Sequence, residues 1–170
     1  MSKQREGNKK MAVAISLVVN GEEHKVDVEP GWSLAYVLRE IFGLTGTKIM
    51  CNNGACGSCT VLMNGQPVSS CLMLAVLADG ENITTIEGLA DTKMGKLHPL
   101  QEAFIEYSGM QCGTCTPGMI LTAKALLDDN PTPTEDEVRE ALAGNLCRCG
   151  SYKRIVKCAL AAAEVTRGGA

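Results

Sequence analysis

The sequence predicts an α+β chain in two parts, a small β-grasp domain followed by an all-helical half. Three observations carry this. Two Asn-Gly dipeptides, Asn20-Gly21 and Asn64-Gly65, each sit between β-prone runs, which is the strongest short-range hairpin signal. Helix caps and prolines dominate after Gly88. Eight of the nine cysteines fall into two sets of four, one set in each half.

Residues 1–10 are polar and read as a disordered tail. Residues 12–19 and 22–28 read as the first hairpin. Pro30-Gly31 is a turn, and Ser33 is an N-cap for a helix over 34–41, where Leu34, Val37, Leu38 and Ile41 recur at helical spacing. The Gly43–Thr47 stretch breaks it, and the first cysteine loop follows. Residues 60–63 and 66–70 form the second hairpin, and 82–86 is one more β-prone segment. The first domain therefore covers 11–88 and the helical one 89–167. In the second, 100–107 is helical in pattern. Thr116-Pro117 reads as a cap followed by proline in the first turn of a helix running to about 128. Thr134 with Glu137 is a capping box for 135–143, and 152–165 is an Ala-rich last helix.

Composition closes several possibilities. The 170 residues carry a net charge of −3 with a pI near 5.4 and only 4% aromatics. This gives no basic field for nucleic acid or anionic membrane and no base-stacking platform. No apolar run reaches the roughly 20 residues that span a bilayer. Lys3, Arg5, Lys9 and Lys10 before the apolar run at 11–19 superficially resemble a leader, but the run ends at Asn20-Gly21-Glu22-Glu23 without a small-residue cleavage site or twin arginine. A cytoplasmic chain is expected, and there dense cysteine means metal or redox chemistry rather than disulfides.

The first set is Cys51-x4-Cys56-x2-Cys59-x11-Cys71, and its opening is the plant-type [2Fe–2S] ligand run. The second is Cys112-x2-Cys115-x31-Cys147-x1-Cys149. Four thiolates hold one two-iron cluster, so eight imply two clusters. Gly54 and Gly57 let the first loop wrap tightly. Cys112 and Cys115 precede a helix N-terminus, whose partial positive charge favours thiolate. If extended, Cys147-Arg148-Cys149 points both sulfurs to one side and Arg148 to the other. Zinc also uses C-x2-C pairs, but neither full spacing is usual for it.

The blocks Cys51-Asn-Asn-Gly-Ala-Cys56-Gly-Ser-Cys59-Thr-Val, Gln111-Cys112-Gly-Thr-Cys115-Thr-Pro-Gly-Met119 and Gly144-Asn-Leu-Cys147-Arg-Cys149 resemble the iron–sulfur subunit of molybdenum hydroxylases, the xanthine oxidase / carbon monoxide dehydrogenase / 4-hydroxybenzoyl-CoA reductase family. The similarity covers roughly residues 12–165. It implies a ferredoxin-like β-grasp domain followed by a four-helix bundle. It also implies a large molybdopterin subunit and a medium FAD subunit as partners, in a dimer of heterotrimers. Electrons would pass between molybdenum and FAD through both clusters, and Gln111 and Cys149 would lie against the pterin. The chain departs from the family pattern at Met50, Thr114 and Gly150-Ser151, none of which removes a ligand.

Cys158 reads as a buried inert thiol, His24 and His98 as surface or loop residues, and Trp32 as packing against the first helix. Met110 and Met119 read as core filler. No G-x-G-x-x-G after a strand, P-loop or nucleophile motif is present, and no catalytic acid or base is assigned. A stand-alone two-cluster ferredoxin is the alternative.

Overall fold

The structure is a computed structural model and describes residues 11–91 and 94–168. The tail expected at 1–10 lies outside the described residues.

Two hairpins build most of one sheet. β1 (Val13–Val19) pairs antiparallel with β2 (Glu22–Val28), and β3 (Thr60–Met63) with β4 (Gln66–Ser69). Asn20 and Asn64 have φ of 53° and 51°, and Gly21 and Gly65 have 84° and 81°. Both turns thus place two left-handed residues in succession, which matches the twist of the strands they join. β5 (Asn82–Thr84) runs parallel to β1 and antiparallel to β3, giving the order β2-β1-β5-β3-β4. Alternation along β1 turns Ile15, Leu17 and Val19 onto a core shared with Val61, Ile83, Leu34, Val37 and Leu38.

The helix expected over 34–41 forms, but not as one regular element. Ser33 Oγ accepts from the Tyr36 amide and caps α1 (Leu34–Tyr36), which widens at once into a π-type segment, Val37–Ile41. There the Phe42 amide reaches back five residues to the Val37 carbonyl at 3.0 Å. This wider turn buries Val37 and Leu38 together and leaves Arg39 free to clamp the next loop. Its Nη1 donates to the Thr45 and Thr47 carbonyls at 3.0 and 2.6 Å. Trp32 packs against Tyr36 with ring centroids 4.8 Å apart and the planes tilted by 54°, as expected of a residue packing on this helix.

The second half holds α2 (Pro99–Glu106), α3 (Thr116–Asp129), α4 (Glu135–Ala141, continued by a 3-10 turn over Leu142–Gly144) and α5 (Tyr152–Gly168). They share a core around Phe104, Met119, Val138, Ile155 and Ala159. The Thr134–Glu137 capping box forms as expected. The cap expected at Thr116 does not. Cys115 occupies that position with helical φ and ψ, so Thr116 already lies inside the helix, where its buried hydroxyl finds no hydrogen-bond partner. α3 also packs across β3 and β4, and so joins the two halves.

His98 is more than a loop residue. Its Nδ1 accepts from the Leu100 amide at 3.2 Å while the Gln101 side chain accepts from the His98 amide, a capping box for α2. Burial pushes the imidazole below its ordinary pKa, and Lys124 adds to this, against the smaller opposing effects of Asp128 and Glu102. The unfolded chain therefore takes up this proton first as pH falls. The cap is at full strength above about pH 6.5, the usual imidazole value, and is lost below it. The thermal midpoint is expected to fall more steeply between pH 7 and 5 in the native chain than in His98→Asn, whose side chain caps without titrating.

Candidate metal centres

The first loop runs from the Arg39 clamp to Cys71. Gly54 and Gly57 adopt φ of +78° and +67°, so the tight wrap uses left-handed backbone at both positions. Cys59 and Cys71 are buried against Ala35 and Ile49, whereas Cys51 and Cys56 lie nearer the surface. The Ser70 hydroxyl donates to the Cys59 carbonyl at 2.5 Å and ties the last two cysteine-bearing segments together. In the second set Cys115 and Cys147 are buried, Cys149 is half-buried and Cys112 is exposed. The Cys112 and Cys149 sulfurs are 3.5 Å apart.

The sulfurs meet in pairs. The Cys51 thiol is held down to about 7 by the Asn53 amide and then by its contact with the Cys56 side chain. Burial, then the Cys59 thiol, pushes Cys71 up to about 11, with Cys51 a lesser like charge beyond. In the second set the Thr114 amide and hydroxyl and the Cys149 thiol lower Cys112. Burial, then Cys147 and Cys112, push Cys115 up to about 12. Burial works against the Cys147 thiolate, but the Ser151 amide, Cys115, and the Cys149 and Gly150 amides outweigh it and hold the thiol low. Each set thus offers an outer pair (Cys51 with Cys56, Cys112 with Cys149) and an inner pair (Cys59 with Cys71, Cys115 with Cys147).

This pairing tests the cofactor. A two-iron cluster takes two thiolates on each iron, whereas a tetrahedral zinc ion draws all four to one point. The donor sets therefore fit [2Fe–2S] clusters. The surrounding amides are aimed at sulfur, which favours the more negative, reduced state.

One expectation fails in detail. Cys147-Arg148-Cys149 is a turn closed by the Gly150 amide on the Cys147 carbonyl at 3.2 Å, not an extended strand. Arg148 therefore lines the same cleft as the sulfurs instead of pointing away. This cleft, about 350 Å³, opens between the two sets and touches Cys56, Cys112, Cys115 and Cys147. Gln111 lies exposed beside it, its Nε2 3.5 Å from Ser151 Oγ. Cys158 is fully buried on α5, and burial pushes its thiol up to about 11, in keeping with an inert core position.

Two residues were not singled out from sequence. Tyr152 Oη accepts from the Cys147 amide at 2.8 Å. Asn145 is buried between the halves, donating to the Gly57 carbonyl at 2.9 Å and accepting from Thr122 Oγ1 at 3.1 Å. The one available signal was a polar amide two residues before a cysteine that must be buried.

Residues 17–86 match the family described as a 2Fe-2S iron-sulfur cluster binding domain, and residues 85–160 match the [2Fe-2S] binding domain family. The chain is 52% identical over 143 residues to the nicotinate dehydrogenase small FeS subunit of Eubacterium barkeri, covering 84% of this chain and 90% of that subunit. It is 49% identical over 148 residues to the nicotine 6-hydroxylase small subunit of Paenarthrobacter nicotinovorans, covering 87% and 88%. Among solved structures, quinoline 2-oxidoreductase from Pseudomonas putida 86 superposes with a TM-score of 0.87 at 49% identity, over 93% of this chain and 98% of that one. Aldehyde oxidoreductase from Desulfovibrio gigas superposes with a TM-score of 0.86 at 41% identity, but this chain spans only 18% of it. With sulfur pairs, two cluster-domain matches and near-full-length relatives in agreement, the chain belongs to the family of small iron–sulfur subunits of molybdenum hydroxylases.

Proposed function

We propose that this chain relays single electrons between a molybdopterin centre on a large partner subunit and FAD on a medium one. Cys51, Cys56, Cys59 and Cys71 would hold the first [2Fe–2S] cluster, and Cys112, Cys115, Cys147 and Cys149 the second. The clusters supply one-electron carriers, and the protein supplies burial, amide donors and spacing. The observation that carries this reading is the two-by-two meeting of sulfurs at both sites. We assign no substrate site to this chain, so the bond-making chemistry would reside on the large subunit.

The first domain would span 11–88, and α2–α5 around their common core would form a four-helix bundle over 89–167. Gln111 and Cys149, at the rim of the second set, would lie against the pterin. The assembly would be a dimer of heterotrimers in the cytosol. No helix among the described residues is long and apolar enough to cross a membrane, and the nine cysteines are unpaired by disulfides.

A stand-alone ferredoxin would carry a polar surface near its clusters. Here Met50, Leu72 and Leu146 are 64%, 60% and 53% exposed beside the cysteine loops, which favours permanent docking. Metal analysis of the complex purified anaerobically through a tag on this chain should give four irons and about one molybdenum per copy, from two two-iron clusters and one pterin centre. Four irons without molybdenum would move the assignment to the free carrier. Zinc in their place would remove both readings.

A further inference from the structure

We infer that Asn145 is a positioning residue for the electron step between the two clusters, a role that rests on the two-cluster reading above. Besides the packing of α3 on β3 and β4, the halves are joined by hydrogen bonds at residues 56–57 and 145–146. The Leu146 amide donates to the Cys56 carbonyl at 2.9 Å. Cys56 belongs to the first set, and Leu146 is covalently joined to Cys147 of the second. One hydrogen bond and one intervening residue therefore connect a cysteine of each set.

Asn145 pins this joint from the adjoining position. It is 4% exposed. Its Nδ2 donates to the Gly57 carbonyl at 2.9 Å and its Oδ1 accepts from Thr122 on α3 at 3.1 Å. The Gly57 carbonyl also receives Thr60 Oγ1 at 2.8 Å and the Thr60 amide at 3.2 Å. A carbonyl serving three donors has little freedom to turn. Gly118 stands against the same oxygen, with no room there for a side chain. The peptide between Gly57 and Ser58, next along the chain from the Cys56 carbonyl that Leu146 meets, is thus held from the first domain by Thr60 and from the second by Asn145. Electron exchange through a hydrogen-bonded joint falls as the joint lengthens, so a contact that fixes its length also fixes the rate.

A structural role alone would lower stability and leave the loaded centres as they are. The discriminating variant is Asn145→Asp, which keeps the volume but turns a donor into an acceptor facing the Gly57 carbonyl. In the intact complex it should retain four irons per chain. The magnetic splitting between the two reduced clusters, read by electron paramagnetic resonance, should weaken. The exchange rate after flash photoreduction should fall several-fold. Thr122→Val, which frees Asn145 Oδ1 and leaves the Gly57 contact in place, should move both readouts the same way by less, and it serves if Asn145→Asp does not assemble. Thr122→Ser should restore them. Full iron with native splitting and native exchange in the Asp variant would overturn the proposal, as would loss of iron from the first set alone. Fewer than four irons in the native chain would instead strike the two-cluster reading.

Discussion

Replacing Cys59 with serine is expected to halve the iron of the chain, from four atoms to two, since each cluster holds two. Cys59 is buried and paired with Cys71 on the inner side of the first set, so a neutral hydroxyl there cannot replace the thiolate. The signal of the second cluster should survive, because its four cysteines come from other segments. Electron delivery to the acceptor should stop while reduction of the remaining cluster persists. Cys115→Ser should give the mirror result. Cys158→Ala should keep all four irons, because that thiol lies in the α5 core away from both sets. Loss of all iron in Cys59→Ser would mean that the two sets are not separate centres.

The second large effect is expected at a residue that binds nothing. A Cβ on Gly118 would overlap the Gly57 carbonyl oxygen and lie 3.2 Å from Asn145 Nδ2. Neither neighbour is the loose end of a flexible side chain, since the oxygen is backbone and the amide is buried. Gly118→Ala must therefore push α3 away from the first cysteine loop, and overpacking of this kind costs about 3 kcal/mol. Gly144→Ala, where an added Cβ meets nothing within 4 Å, should change stability by less than about 0.5 kcal/mol. Urea unfolding followed by cluster absorbance would compare them, and equal midpoints would refute the crowding argument.

Much of this was legible in the residues. Asn-Gly turns need two left-handed positions, and nothing in the tertiary structure opposed them at Asn20 or Asn64. The Thr134–Glu137 box is local and formed as read. The cysteine spacings announced their chemistry because a cluster imposes its ligand geometry on the chain. What was not legible depended on contacts between distant segments. The π-type turn at Val37–Ile41 follows from burying two consecutive apolar residues while Arg39 reaches the Thr45–Thr47 loop. Thr116 lost its capping role because the cysteine before it had already taken helical geometry. Arg148 turned into the cleft because Gly150 closes a turn that alternation alone could not foresee. Asn145 acquires a partner 88 positions earlier, a pairing beyond the reach of any local pattern.

The division of each sulfur set into an inner and an outer pair bears on how such a subunit is built and kept. The inner pair of each cluster would be walled by this chain, whereas the outer pairs are less covered, with Cys51, Cys56 and Cys149 half-buried and Cys112 exposed. A copy released before assembly would meet oxygen and chelators from that less covered side, so neighbouring subunits would serve as the lid of the iron store as well as the source and sink of its electrons. Cluster insertion and subunit docking are then best completed in close succession, and surplus copies of this chain would shed iron from the second set first.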